Sequence, residues 1–334
     1  MTAMTARRRV GDALNAALGT LLAEDPGLYL LGEDIADPYG GAFGITRGLS
    51  TRFPRQVLTT PISEAGIVGV ANGLALAGDK AIVEMMFADF VALAFDQIVN
   101  FAAKSTTMYG HPVPMPVVVR CPTGGNRGYG PTHSQSPQQH FIGVPGLDVY
   151  ELSPYHEPAP LLRTMLGGGR PALLFEDKTL YAAPLRPDPL FAVSHTGGVA
   201  QGRVDDDSPA TDYLLIAPGG LTVRATSAMR TLLLRYELSG CLLVPARLHP
   251  LDMDPLLPAA AAARQILVVE DGPAGAAWGT GVAYRLQGAL WGTQARPVRL
   301  LQAADRVIPT AAHLERDVLV QAGTIVRAVL EGHR

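Results

Sequence analysis

Only two cysteines, Cys121 and Cys241, occur among 334 residues. That is too few for a disulfide framework, and they lack the close spacing of a metal site. They read as small buried apolar residues, and a reducing, cytoplasmic setting is the simplest reading. Charged residues make up 17% of the chain and the net charge is −3, so no basic field points to nucleic acid or to an anionic membrane. No run approaches the ~18 consecutive apolar residues of a membrane span. Arg7, Arg8 and Arg9 precede an apolar stretch, as in a signal peptide, but Asp12, Asn15 and Glu24 interrupt it and no small-residue cleavage site follows. There is no G-x-G-x-x-G between a strand and a helix, no Walker A loop and no G-x-S-x-G elbow, which removes the usual dinucleotide, P-loop and hydrolase signatures. No H-x-x-x-H or Cys/His spacing suggests zinc.

What is present is a core-rich chain. Apolar residues are 48% of the total, and the length suits two domains at roughly 100–200 residues each. Strand and helix signals alternate. Val10 to Leu22 carries apolar residues on one helical face; LYLL at Leu28–Leu31 is a short strand. A helix over Ala65–Ala77, with an apolar stripe of Ile67, Val70, Ala71 and Leu74, stops at Gly78. A strand is predicted over Ala81–Phe87 and a helix over Phe90–Lys104. Further strands are predicted at Pro116–Arg120, Asp148–Leu152 and Ala172–Phe175, with a helix at Ala159–Leu166. From about Ala183 to Thr211 the segments PLRPDP, HTGG and DDDSP mark a linker, with room for a short strand or two. The rhythm then resumes, with strands at Tyr213–Ile216, Leu242–Pro245, Ile266–Glu270 and Val298–Leu301. Helices are predicted near Thr222–Leu238, Ala277–Leu290 and Ala311–Glu331. The fold class is therefore α/β, with two open parallel-sheet domains. The boundaries are a first domain over 1–185, a linker over 186–211 and a second domain over 212–334.

Two segments can carry chemistry. In TTPISEAGIVGVANGLALAG, Thr59–Gly78, Glu64 stands at the entry to a Gly/Ala-rich helix and is the only charge between Arg55 and Asp79. Partial desolvation raises a carboxyl pKa and suits it to proton exchange; alternatively, Glu64 is an ordinary first-turn acid favoured by the helix dipole. Gly66, Gly69 and Gly73 let another backbone or helix approach. In RCPTGGNRGYGPTHSQSPQQH, Arg120–His140, a strand runs into a glycine-rich loop bearing His133. Such loops are where open α/β sheets bind ligands. His133 reads either as an acid, base or oxyanion donor, or as a residue that only bonds its own loop. His140 and His156 are poorer candidates. The spacing of Phe87, Phe90, Phe95 and Phe101 reads as core packing.

The ordered blocks LLGEDIADPYGGAFGITRGL, TTPISEAG, Ala94–Lys104, PVVVRCPTG, GPTHSQ, ELSP, RLHPLD and VVEDG together resemble the β subunits of thiamine-diphosphate-dependent 2-oxo acid dehydrogenases (pyruvate, branched-chain and acetoin types). The resemblance covers nearly the whole chain. It implies a transketolase-like pyrimidine-binding domain followed by a transketolase C-terminal domain. It also implies an α subunit, in an α2β2 heterotetramer, that holds Mg2+ and the diphosphate through a GDG…N motif; Glu270-Asp271-Gly272 is the only near approach in this chain.

The resemblance assigns Glu64 to the glutamate whose proton bonds N1′ of the aminopyrimidine, favouring the tautomer that deprotonates the thiazolium. Phe90, Met86 and Ile62 match the pocket that packs on the pyrimidine. Glu33 matches an acid in the channel between paired sites, and His133 a histidine near the substrate and the incoming lipoyl group. A monovalent cation such as K+ is implied on the carbonyls of Val117, Met165, Gly168 and Arg170, although Gly168 and Arg170 depart from the polar residues often found there. The implied activity is decarboxylation of a 2-oxo acid with acyl transfer to lipoamide on an acyltransferase core. A carboligase of the same fold and a non-catalytic scaffold subunit are the alternatives, the latter opposed by the presence of Glu64 and His133.

Overall fold

The computed structural model describes residues 8–185, 188–204, 211–275, 277–294 and 296–333. Arg7 and the DDDSP run therefore lie outside the described residues, as does part of the predicted linker. The chain divides into two compact units. The first comprises Met1–Thr123, Gly143–Tyr150 and His156–Leu185; the second comprises Gly124–Ile142, Glu151–Tyr155 and Arg186–Arg334.

In the first unit the strands are β1 (Leu28–Gly32), β2 (Val57–Thr59), β3 (Lys80–Glu84), β4 (Val117–Thr123), β5 (Asp148–Leu152) and β6 (Ala172–Asp177). Their order is β5-β6-β4-β3-β1-β2, and the pairs β1–β2, β1–β3, β3–β4 and β4–β6 are parallel. The near-continuous apolar runs of β3, β4 and β6 follow from burial on both faces. Helix Val10–Glu24 buries its predicted face, with Leu14, Leu18 and Leu22 in the core. It packs against helix Pro158–Gly167. The chain passes from β1 to β2 on one side and returns to β3 on the other. The carboxyl ends of β1 and β3 thus flank a switch in strand order, the place where open sheets form ligand crevices.

The second unit contains β7 (Ala192–Thr196), β8 (Val199–Arg203), β9 (Tyr213–Ile216), β10 (Gly240–Pro245), β11 (Arg247–His249), β12 (Ile266–Pro273) and β13 (Arg299–Ala303). Its sheet runs β13-β12-β9-β10-β8-β7. The β13, β12, β9 and β10 neighbours are parallel, whereas β7 and β8 form an antiparallel hairpin on β10. These are two strands inside the segment read as a linker, and they make this sheet mixed rather than wholly parallel. Helix Leu221–Tyr236 lays Ala225, Ala228, Met229 and Leu232 over Leu215, Leu242 and Val269. At about 25 cal/mol per Å² of apolar surface, such layers supply most of the favourable energy of a unit this size. Both cysteines are buried, and burial pushes their thiols up, Cys241 to about 12.

Three predicted elements differ. The strand predicted over Ala81–Phe87 stops at Glu84, whose carboxylate accepts from Arg120 of β4. The helix predicted over Phe90–Lys104 is instead a 3-10 helix at Ala88–Ala94, a π-helix at Gln97–Ala102 and a final α turn at Ala103–Ser105. Asn72 donates to the carbonyl of Gln97 at 3.0 Å, pinning the chain where the wide turns begin. The long final helix is two, Ala312–Val318 and Ala322–His333. Between them the Val320 N–H donates to Asp271 and its carbonyl accepts from Arg224, so both groups leave the helical ladder. Helix Glu64–Leu76 forms as expected, but Val70 of its predicted apolar stripe is 56% exposed.

Candidate active site

The crevice at the carboxyl ends of β1 and β3 gathers most of the predicted residues of the first unit. Glu33 follows β1 directly. Glu64 is the first residue of its helix, reached from β2 through Thr60–Ser63. Both carboxylates are buried, at 6% and 7% exposure, although Ser63 and Ala65 beside Glu64 are exposed. Burial raises the Glu33 carboxyl and the charge of Glu64 raises it further, while a hydrogen bond from the Ser63 backbone works against both. Oε1 of Glu33 is enclosed without a hydrogen-bond partner. Two acids thus lie near one another, one with a buried oxygen left unmatched by the protein.

A raised acid lowers stability where it is ionised. Glu33 binds its proton more tightly folded than unfolded, so stability falls as pH rises from the ordinary value of 4.5 through the folded one. Glu33→Gln, which keeps an acceptor for Ser63, should raise the thermal midpoint at pH 7 by about 2 °C. The gain should vanish below pH ~4, where the native side chain is also neutral; calorimetric scans of both proteins across pH check this.

Beyond β3 the chain supplies an aromatic wall. Phe87 and Phe90 meet edge to face at 5.9 Å, and Phe43, from the loop after β1, meets Phe87 at 5.5 Å. Met86 and Phe90 are half-buried. The expectation that the phenylalanine series is core packing is corrected here: Phe87, Phe90 and Phe101 are half-buried and Phe95 is 40% exposed. The irregular turns at 88–102 rotate these rings away from a single helical face. Ile62 is 81% exposed on the segment leading to Glu64, so its place is beside the acid pair and outside the core.

A buried ion cluster lies behind the wall and was missed in the sequence. Arg120 is fully buried; its Nε and Nη2 bond Glu176 of β6 at 2.7 and 2.8 Å, and its Nη1 bonds Glu84 at 2.6 Å. The Tyr181 hydroxyl donates to Glu176 at 2.7 Å. Burial pushes the Glu84 carboxyl up, and Arg120 only partly offsets it because Glu176 shares the same cation.

His133 belongs to the glycine-rich loop of the second unit. It is half-buried, with Nδ1 2.9 Å from the Thr132 hydroxyl. Glu315, only 1% exposed, ties this loop by accepting from the backbone N–H groups of Asn126 at 2.8 Å and Gly128 at 3.1 Å. No local sequence signal marks Glu315 as its anchor.

The residues expected to hold a monovalent cation fit one poorly. The Met165 carbonyl accepts from the Gly168 N–H, and the Arg170 guanidinium pairs with Asp148 and reaches the Leu147 carbonyl, placing a fixed positive charge in the same stretch. Among the described residues no three His, Cys, Asp or Glu side chains gather as a metal site, and no helix is long and apolar enough to cross a membrane.

Comparison with known proteins identifies the family of the chain. Residues 7–184 match the family described as transketolase, pyrimidine binding domain. The chain is 29% identical over 335 residues to the acetoin:2,6-dichlorophenolindophenol oxidoreductase subunit beta of Bacillus subtilis (strain 168), covering 96% of each. It is 30% identical over 322 residues to the mitochondrial pyruvate dehydrogenase E1 component subunit beta-2 of Oryza sativa subsp. japonica, covering 96% of this chain and 84% of the relative. Among solved structures, a split gene transketolase described as an inactive beta4 tetramer aligns with a TM-score of 0.74 at 18% identity, over 96% of this chain and 97% of that one; that likeness concerns the fold.

Proposed function

The chain belongs to the transketolase-type β subunits of 2-oxo acid dehydrogenase decarboxylase components, and from that membership we propose that it decarboxylates a 2-oxo acid with thiamine diphosphate, jointly with an α subunit. The observation that carries the reading is the buried pair Glu33 and Glu64 at the strand-order switch, with one carboxylate oxygen unmatched.

When bound, thiamine diphosphate supplies the carbon nucleophile and electron sink that loss of CO2 requires. Glu64 holds a proton at N1′ of the aminopyrimidine, where a buried carboxyl exchanges it without competition from water. Glu33, raised by burial and by Glu64, limits the charge of the pair. Phe90 and Met86 flank the ring and exclude solvent, which strengthens each polar contact in the crevice. His133, steadied through its loop by Glu315, serves the substrate and the acyl acceptor. C1 of the substrate leaves as CO2, and the acyl group that keeps C2 passes to a lipoyl disulfide on a separate acyltransferase, whose S–S bond opens to take the two electrons. Mg2+ and the diphosphate are assigned to the α subunit, in an α2β2 assembly; no step is assigned to a monovalent cation.

The α requirement has a direct test. The chain alone should bind thiamine diphosphate at least about 100-fold more weakly than the chain co-purified with an α-type protein, a difference of ~2.7 kcal/mol. Titration calorimetry of the two preparations measures it, and equal affinities would refute a shared site. The same co-purified protein, screened with 2-oxo acids and an artificial electron acceptor, should reduce the acceptor. Acetoin belongs in that screen because one relative is named for it; turnover of acetoin alone would favour a different substrate class.

A further inference from the structure

We propose that Tyr181 and Phe43 are positioning residues for the pyrimidine pocket, and that they transmit the rigidity of the buried Arg120 cluster to its aromatic wall. The proposal rests on the pocket reading above and names residues that reading did not use.

The contacts form one continuous chain within the first unit. Arg120 draws the ends of three neighbouring strands together through Glu84 on β3 and Glu176 on β6. Tyr181, on the short turn Lys178–Ala182 after β6, hangs its hydroxyl on Glu176 and lays its ring against Phe43 with centroids 5.4 Å apart. Phe43 meets Phe87, and Phe87 meets Phe90. The other end of the cluster returns to the same loop. Gly41 adopts φ +79°, and a Cβ there would lie 2.2 Å from Oε1 of Glu84. The loop carrying Phe43 is thus seated on Glu84 at Gly41 and clasped by Tyr181 at Phe43. Burial beside Glu176 pushes the Tyr181 phenol up, so it stays a donor. The ammonium of Lys178, also fully buried, lies 5.5 Å from the Phe87 ring centroid and backs the wall from the same turn.

A fully buried cluster of this kind is a poor device for stability alone, because apolar residues of similar volume do as well or better. Its geometric value is different. A planar guanidinium bonded on three nitrogens fixes directions that aliphatic packing leaves free. Aromatic edge-to-face contacts then carry those directions to Phe90 without a flexible link.

The test uses the complete α-containing complex and titrates thiamine diphosphate by calorimetry at 25 °C, alongside the thermal unfolding midpoint. Tyr181→Phe keeps the ring and loses the hydroxyl; Phe43→Leu keeps apolar volume and loses the aromatic edge. Each should raise the Kd about tenfold, while Phe43→Tyr restores the native value. With cofactor saturating, kcat of Tyr181→Phe should stay within about threefold of native, since its hydroxyl bonds Glu176 in the buried cluster and not the pocket. Variants that unfold earlier yet bind with the native Kd would reduce the cluster to scaffolding and overturn the proposal. If Tyr181→Phe does not fold, the Phe43 pair decides, and equal Kd values for Leu and Tyr there would overturn it. Native complex that fails to bind thiamine diphosphate refutes the function itself and this inference with it; native binding with unaltered variants refutes the inference alone.

Discussion

Glu64→Gln, reconstituted with the α subunit, should retain its fold and lose decarboxylation by about 10²- to 10⁴-fold, the range for removing a positioned general acid or base. The substitution is close in shape, and Glu64 makes its first helical turn through backbone groups that glutamine also supplies. What disappears is a side chain able to pass a proton to and from a ring nitrogen. The loss should fall on kcat and kcat/KM together, as for an interaction made in the transition state. Stopped-flow turnover with saturating substrate and cofactor measures it. Turnover within about threefold of native would remove Glu64 from the reaction.

The second large effect is on stability. Arg120→Met should destabilise the first unit by about 3–5 kcal/mol, because it strands two buried carboxylates that shared one cation. Total stabilities of about 5–15 kcal/mol make this a substantial fraction. The cause can be separated from simple loss of volume. Adding Glu84→Gln and Glu176→Gln to Arg120→Met should recover much of the loss, since neutral amides cost far less to bury than charges. The deficit should also shrink as pH falls. In the single variant Glu84, already raised by burial, loses the cation that offset it, so stability lost at neutral pH returns as it protonates. Denaturant unfolding at two pH values checks both statements. A deficit that does not change with pH or with the added amides would mean that cavity formation dominates.

The chain's sequence discloses the parts of this structure that depend on neighbours in sequence. Apolar runs such as Val117–Val119 mark buried parallel strands, and the isolated acid Glu64 before a small-residue helix marks the proposed site. The family-like blocks extend that reading to Glu33, Met86, Phe90 and His133, whose roles are those proposed above. What stays hidden depends on partners far along the chain. Arg120 finds Glu84 36 positions earlier and Glu176 56 positions later, and no local pattern pairs them. The 3-10 and π turns at 88–102 have helical spacing of apolar residues, yet Asn72 from another helix holds the Gln97 carbonyl where the π turns begin. The break at Val320 arises likewise from Arg224 and Asp271. Periodicity reports which face is apolar; it does not report which backbone group a distant side chain will claim.

The anchoring of the histidine loop by Glu315 has an evolutionary corollary. The acceptor for the Asn126 and Gly128 amides lies 189 and 187 positions downstream, so the loop GGNRGYGPTHSQ is not a portable cassette. A chimera that imports the loop without a matching acid on the distant helix would inherit the imidazole but not its posture. Lineages exchanging gene segments between the two would therefore be held to swapping them as a pair.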